Sequence, residues 1–373
     1  MSLVRAFAIA AVGLAALTAA SPSAPVAADL LLAQTPAQTL DAYGLFTDAG
    51  ARRPAARVVP YDLNTPLFSD YAEKFRYVFV PPGQKVRYAA EGALEFPVGT
   101  ALIKTFAYPA DFRRPNDNIR FVETRLLIRK ADGWFAQTYV WNAEQTKATL
   151  KRAGARMDVS FIDAAGKTET INYAVPNTNQ CKECHSLDGE IAPIGPKARN
   201  LNGEFDYRSR SDFSDLRRDF GDVGDKANQI ALWTRIGLLE GAPAPAAIPA
   251  TARWDDPKAP LEARARAYLD ANCAHCHNPR GMASNSGLFL NLEEKRANHL
   301  GIGKNPVAAG RGAGGLAVSI RPGDPDASIL AYRMASREPG VMMPELGRSV
   351  THREGVELVR AYIAGMRPPP PAP

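Results

Sequence analysis

The chain has 373 residues, 46% hydrophobic and 23% charged, with a formal charge of +6 and a pI near 9.1. This length allows two or three domains, and the composition is that of an ordinary globular protein, which excludes a low-complexity chain. The mild basicity comes without cation runs interleaved with aromatics, so it favours an acidic protein partner or a membrane surface over nucleic acid.

At the N-terminus, Arg5 precedes an apolar run over 6–17 that ends in small residues. That pattern predicts a signal peptide within 1–28, cleaved after Ala20 or after Ala28. The run is short for a membrane span and no later stretch is apolar enough, so the mature chain is expected to be periplasmic with no transmembrane span. Residues 29–40, rich in Ala, Pro and Leu, read as a flexible tether.

From 41 to 175 the pattern changes to short β-branched and aromatic runs separated by Gly, Pro, Asp and Asn. Strands are predicted at 75–80, 85–88, 102–108, 119–129, 134–141, 158–162 and 168–173. Asp132-Gly133 is a hairpin signal between two of them. The expectation is an all-β domain, a sandwich or barrel-like fold, without Cys or His. Its Tyr61, Phe68, Tyr71, Phe75, Tyr139 and Trp141 read as core residues or the lining of a groove.

Asn177-Thr178-Asn179-Gln180 then leads into Cys181-Lys182-Glu183-Cys184-His185, and the same pattern returns as Cys273-Ala274-His275-Cys276-His277. C-x-x-C-H is the attachment signature of a c-type haem. Two thiols three apart on a helical turn can add across the two vinyl groups of one porphyrin, and the next residue sets an imidazole under the ring. A zinc site usually brings further Cys or His at short spacing, and a redox pair needs no trailing His. All four cysteines fall in the two motifs. The prediction is two covalently bound haem c groups on Cys181, Cys184, Cys273 and Cys276, with His185 and His277 as axial iron ligands.

A first haem unit is expected over 176–256. Its loop Ile191-Ala192-Pro193-Ile194-Gly195-Pro196 offers a carbonyl to His185 Nδ1, leaving Nε2 for iron. Lys197 and Arg199 read as propionate partners or as solvated charges. Residues 228–239 have helical spacing and stop before a Pro/Ala linker at 241–252.

A second, cytochrome c-like unit is expected over 257–373. A helix at 261–276 carries the second motif, followed by a Gly-rich region at 301–315, a short helix at 328–334 and a last helix at about 353–366. The fold expectation is therefore multidomain α+β, an N-terminal β domain followed by a mostly α-helical di-haem cytochrome c region. Met343, before Pro344 and ahead of the last helix, is the expected sixth ligand of the second haem, with Met342 its neighbour. For the first haem, Met157, Met282, Met334, His299, His352 and no protein ligand at all stay open. His275 is expected to be solvated or packed on a haem edge.

The run Val59-Pro60-Tyr61-Asp62-Leu63-Asn64-Thr65-Pro66-Leu67-Phe68-Ser69-Asp70-Tyr71 is distinctive. With Phe96-Pro97-Val98-Gly99-Thr100, Lys104-Thr105-Phe106, Glu123-Thr124-Arg125, Tyr139-Val140-Trp141-Asn142 and the two motifs, it resembles a family of exported di-haem c-type cytochromes over nearly the whole mature chain. The resemblance implies covalent haem at both cysteine pairs, with His185 and His277 proximal. A similar front domain joined to sugar-dehydrogenase-type propellers implies coupling to a periplasmic oxidation. The expected function is electron transfer between a periplasmic dehydrogenase and a downstream acceptor, with no catalytic residue. The alternative is a di-haem peroxidase or oxidase with an open first haem.

Overall fold

A computed structural model describes residues 25–50, 52–207 and 224–367. The apolar run at 6–17 and the first expected cleavage position, after Ala20, lie outside them. In the front half, β1 (Val58–Tyr61), β2 (Glu73–Phe79), β3 (Ala101–Tyr108), β4 (Arg120–Lys130), β5 (Gly133–Trp141) and β6 (Ala148–Leu150) form one antiparallel sheet, paired in chain order. Asp132-Gly133 makes the β4–β5 turn, with Lys130 opposite Gly133. A separate hairpin joins β7 (Ala155–Ile162) to β8 (Thr168–Val175). The sheet is open, with β1 and β6 at its edges, rather than closed into a barrel.

Alternation along the strands sends side chains to two different cores. Phe75, Tyr77, Phe79, Ile103, Leu126, Ile128 and Tyr139 face Leu31, Leu40, Tyr43 and Leu45. Residues 29–40, read as a tether, begin inside helix α1 (Ala28–Leu32), where Leu31 is fully buried. The opposite sheet face carries Tyr61, Val78, Leu102 and Leu127, which pack on Leu201, Phe205, Ile230, Trp233, Leu238 and Leu239 from beyond the first cysteine motif. The strand Leu239–Glu240 also pairs in parallel with Val86–Arg87. The two halves thus share a core.

The back half corrects the expectation of a mostly α-helical di-haem cytochrome c region. The chain is α+β, 21% helix and 26% strand, and no helical cytochrome c region is evident. The described helices there are α2 (Thr178–His185), α3 (Ala198–Leu201), α4 (Gln229–Arg235), α5 (Leu261–Asn272), α6 (Ile329–Ala335) and α7 (Arg353–Ala364). None exceeds 12 residues. Between α5 and α6 lie only two single 3₁₀ turns, at Ser284–Ser286 and Gly310–Ala313. Closely spaced Gly and Pro explain this: Gly287, Gly301, Gly303, Gly310, Gly314 and Gly315 all take positive φ. No helix-forming run there is long enough to offset the cost of nucleation. Helices α5, α6 and α7 meet through Ala265, Leu269, Leu330, Leu358, Val359 and Ile363.

The segment 62–71 clasps the halves together. Asn64 Nδ2 donates to the carbonyls of Asn202 at 3.1 Å and Thr251 at 3.2 Å, and Thr65 Oγ1 donates to Ala252 O at 2.7 Å. Phe68 N donates to Asn272 Oδ1 at 2.7 Å, just before the second motif. Asp70 Oδ1 accepts from the amides of Ser349 at 2.6 Å and Val350 at 2.9 Å, near the C-terminus. Among the described residues no helix is long and apolar enough to cross a membrane.

Candidate functional site

Helix α2 starts at a defined point because Asn177 and Gln180 form a reciprocal capping box. Asn177 Oδ1 accepts from Gln180 N at 2.9 Å, and Gln180 Oε1 accepts from Asn177 N at 3.0 Å. That start sets Cys181 and Cys184 one turn apart on the same helical face, with His185 as the last helical residue. His185 Nδ1 lies 2.8 Å from Ala192 O, in the loop where such a carbonyl was expected. The carbonyl can only accept, so Nδ1 carries the proton and Nε2 keeps its lone pair. Burial pushes the His185 pKa down to about 4, against the Ala192 bond, with Lys104 and Arg125 lowering it further. At neutral pH this is the uncharged imidazole that a metal requires.

Cys181, Cys184 and His185 line a cavity of about 460 Å³, within the size range of cofactor and ligand pockets. Its far wall is the sheet face of Leu102, Lys104, Arg125, Leu127 and Thr138, and its rim is Pro193–Pro196 with Met342, Leu346 and Arg348 from the C-terminal tail. Seven Lys and Arg side chains line it against two carboxylates, Asp270 and Glu345. Several of these cations are already paired. Arg125 is held by the fully buried Glu123 at 2.5 Å, and Tyr173 donates to the same carboxylate at 2.6 Å. Lys197 pairs with Asp270 at 3.2 Å. Arg199, its suggested companion, does not line the cavity and bonds Asp270 at 2.8 Å and Glu293 at 2.7 Å. Lys104 has no ion pair among the described residues, and burial holds its pKa well below normal, helped by Arg76 and Arg125.

The second motif follows the end of α5. His277 N donates to Cys273 O at 2.9 Å, and His277 Nδ1 sits 3.3 Å from Ser286 Oγ. Cys273 lines a cavity of only about 30 Å³ with Phe68, Tyr268, Met334, Met343 and His352, while Cys276 and His277 do not line it. The two motifs touch: Cys276 Sγ is 3.8 Å from Glu183 O, and Arg280 pairs with Asp188 at 2.5 Å. His275 lies among them with its Nδ1 buried and without a hydrogen-bond partner among the described residues.

All four cysteines are unpaired. Burial raises every thiol, Cys273 and Cys276 to about 12. They stand as S–H groups, unlike the low-pKa thiolates of a redox pair. Among the described residues no three His, Cys, Asp or Glu side chains gather as a bare metal site.

The donor set and space at the first motif fit a porphyrin bearing two carboxylates: two thiols on one face, a lone pair at Nε2, apolar sheet residues and a surplus of cations. The second motif has the same donors, and Met343 beside Cys273, but its cavity is too small for a macrocycle. The remaining candidate ligands lie elsewhere. Met282 is exposed, His299 Nδ1 meets Glu294 at 3.2 Å, and Met157 is on β7. Met334 and His352 line the small cavity instead. Sequence reasoning missed Met342 as a lining residue of the first cavity, since spacing does not say on which side of a loop a side chain falls.

Comparison with protein-family models, curated proteins and solved structures finds no match.

Proposed function

We propose that the protein is a periplasmic c-type cytochrome that binds two haems covalently and passes electrons between a periplasmic dehydrogenase and a downstream acceptor. The observation that carries this reading is the convergence of Cys181, Cys184 and the Nδ1-anchored His185 on one cationic cavity. Each cysteine S–H would add across a vinyl group to form a thioether, a step that consumes no oxidant. His185 Nε2 would take the iron, with Ala192 O keeping the ring in the right tautomer. Lys104, which has no ion pair among the described residues, would take up a proton beside a propionate and neutralise it, and Leu102 and Leu127 would keep water from the ring. When bound, haem supplies a one-electron iron couple. At the second motif Cys273, Cys276 and His277 repeat the donor set, but the cavity beside Cys273 does not hold a macrocycle, so the second haem rests on the motif alone. Contact between the motifs favours transfer from one centre to the other. The N-terminal leader supports export to the compartment where c-type haem is attached.

Mass spectrometry of protein made in a host that matures cytochromes tests this directly. Two haems should be found on the wild type, and one after Cys181→Ser with Cys184→Ser. A chain without haem, or with zinc instead, sinks the proposal. A high-spin haem with peroxide turnover would favour the oxidase alternative.

A further inference from the structure

We infer that Met342 is the thioether that would join His185 as an iron ligand of the first haem. The inference rests on the di-haem reading above. Its basis is placement. Of the methionines among the described residues, Met342 alone lines the large cavity with Cys181, Cys184 and His185, whereas Met343 lines the small one with Cys273.

The loop holds the two side chains apart. Met342 N donates to Glu338 O at 2.9 Å and Met343 N to Arg333 O at 3.0 Å. The buried Arg348 donates through Nη2 to Met343 O at 3.0 Å and Ser336 O at 2.8 Å, and its own side chain lines both cavities. With the backbone pinned between the cavities, neighbouring side chains fall into different ones. A thioether suits the position: it is uncharged, long enough to adapt, and a soft ligand that raises the potential of a His-ligated haem. It also brings no charge into a wall already rich in cations. The first haem is thereby completed by the far end of the chain, which explains why no methionine follows His185 in its own unit.

The test uses the holoprotein. Haem count by mass comes first, because fewer than two haems would defeat the functional reading whatever Met342 does. Given two haems, the wild type should show a low-spin first haem by EPR and a thioether-to-iron absorption band. Met342→Leu, which conserves volume, should weaken that band, turn the first haem high-spin and let it bind carbon monoxide when reduced. Met342→His should restore the low-spin state without restoring the lost intensity. In the background Cys181→Ser/Cys184→Ser, which lacks the first haem, Met342→Leu should leave any remaining band untouched. Overturning results are a full band in Met342→Leu, a loss of the band by Met342→Leu in the single-haem background, or a wild-type bis-histidine signal that disappears in His275→Ala.

Discussion

His352 is the most confined imidazole outside the two motifs. It stacks on Phe68 with ring centroids 4.2 Å apart and its Nδ1 is 2.9 Å from the Tyr268 hydroxyl. Burial pushes its pKa down to about 4, although Glu354 pulls it the other way and Lys74 adds a smaller lowering effect. The folded chain therefore refuses a proton that the unfolded chain accepts below its ordinary value near 6.5. By linkage, stability should fall as pH drops from about 6.5 to about 4, then level off, by at most about 3 kcal/mol from this group. His352→Phe should flatten that acid limb in urea titrations run at several pH values; an unchanged slope would show that the loss arises elsewhere. At this scale the sequence was partly readable. The carbonyl behind His185 could be placed because a rigid Pro-rich loop must follow the motif. The contact of His352 with Phe68 could not, since it joins positions far apart in the chain.

The strands of the front half were legible because Asp-Gly and other turn signals separate β-branched runs whose alternation survives in the sheet. The capping box of Asn177 and Gln180 that starts α2 is a signal present in the sequence that the sequence reading passed over. After α5 the Gly-rich loop at 301–315 and the helices near 328–334 and 353–366 are legible in the sequence, but they do not make a helical domain, because the glycines between them set the backbone. In such a stretch, position depends on side chains that bind carbonyls. Arg348 is the clearest example, with donor bonds to Ser336 and Met343 and a longer one of 3.3 Å to Arg333 O. Arg348→Ala should cost about 3 kcal/mol, since hydrogen bonds to a charged group are worth roughly 1.5–3 kcal/mol each and the stranded carbonyls are partly buried. Chemical denaturation would measure it, and a loss below about 1 kcal/mol would mean that other contacts hold the methionine loop.

For the whole molecule, the boundary near residue 175 divides motifs but not the core. Tyr61, Val78, Leu102 and Leu127 share one core with residues that follow α2, among them Leu201, Phe205 and Trp233. Residues 41–175 made alone should therefore expose this apolar face and bind a hydrophobic dye strongly. A well-dispersed NMR spectrum of that fragment, without dye binding, would show that the sheet stands alone. The same sharing gives the front half a purpose that its lack of Cys and His concealed, because its far face is a wall of the cavity. Asp70 shows how late that wall is secured. Burial raises its carboxyl above the normal range, while its two amide donors, from Ser349 and Val350, hold it down. Those donors lie 279 and 280 residues further along. A polypeptide stalled on the ribosome short of them, or trimmed by a protease, presents an acid group with nothing to receive it. The clasp between the sheet and the C-terminal tail therefore closes only once residues 349 and 350 are in place.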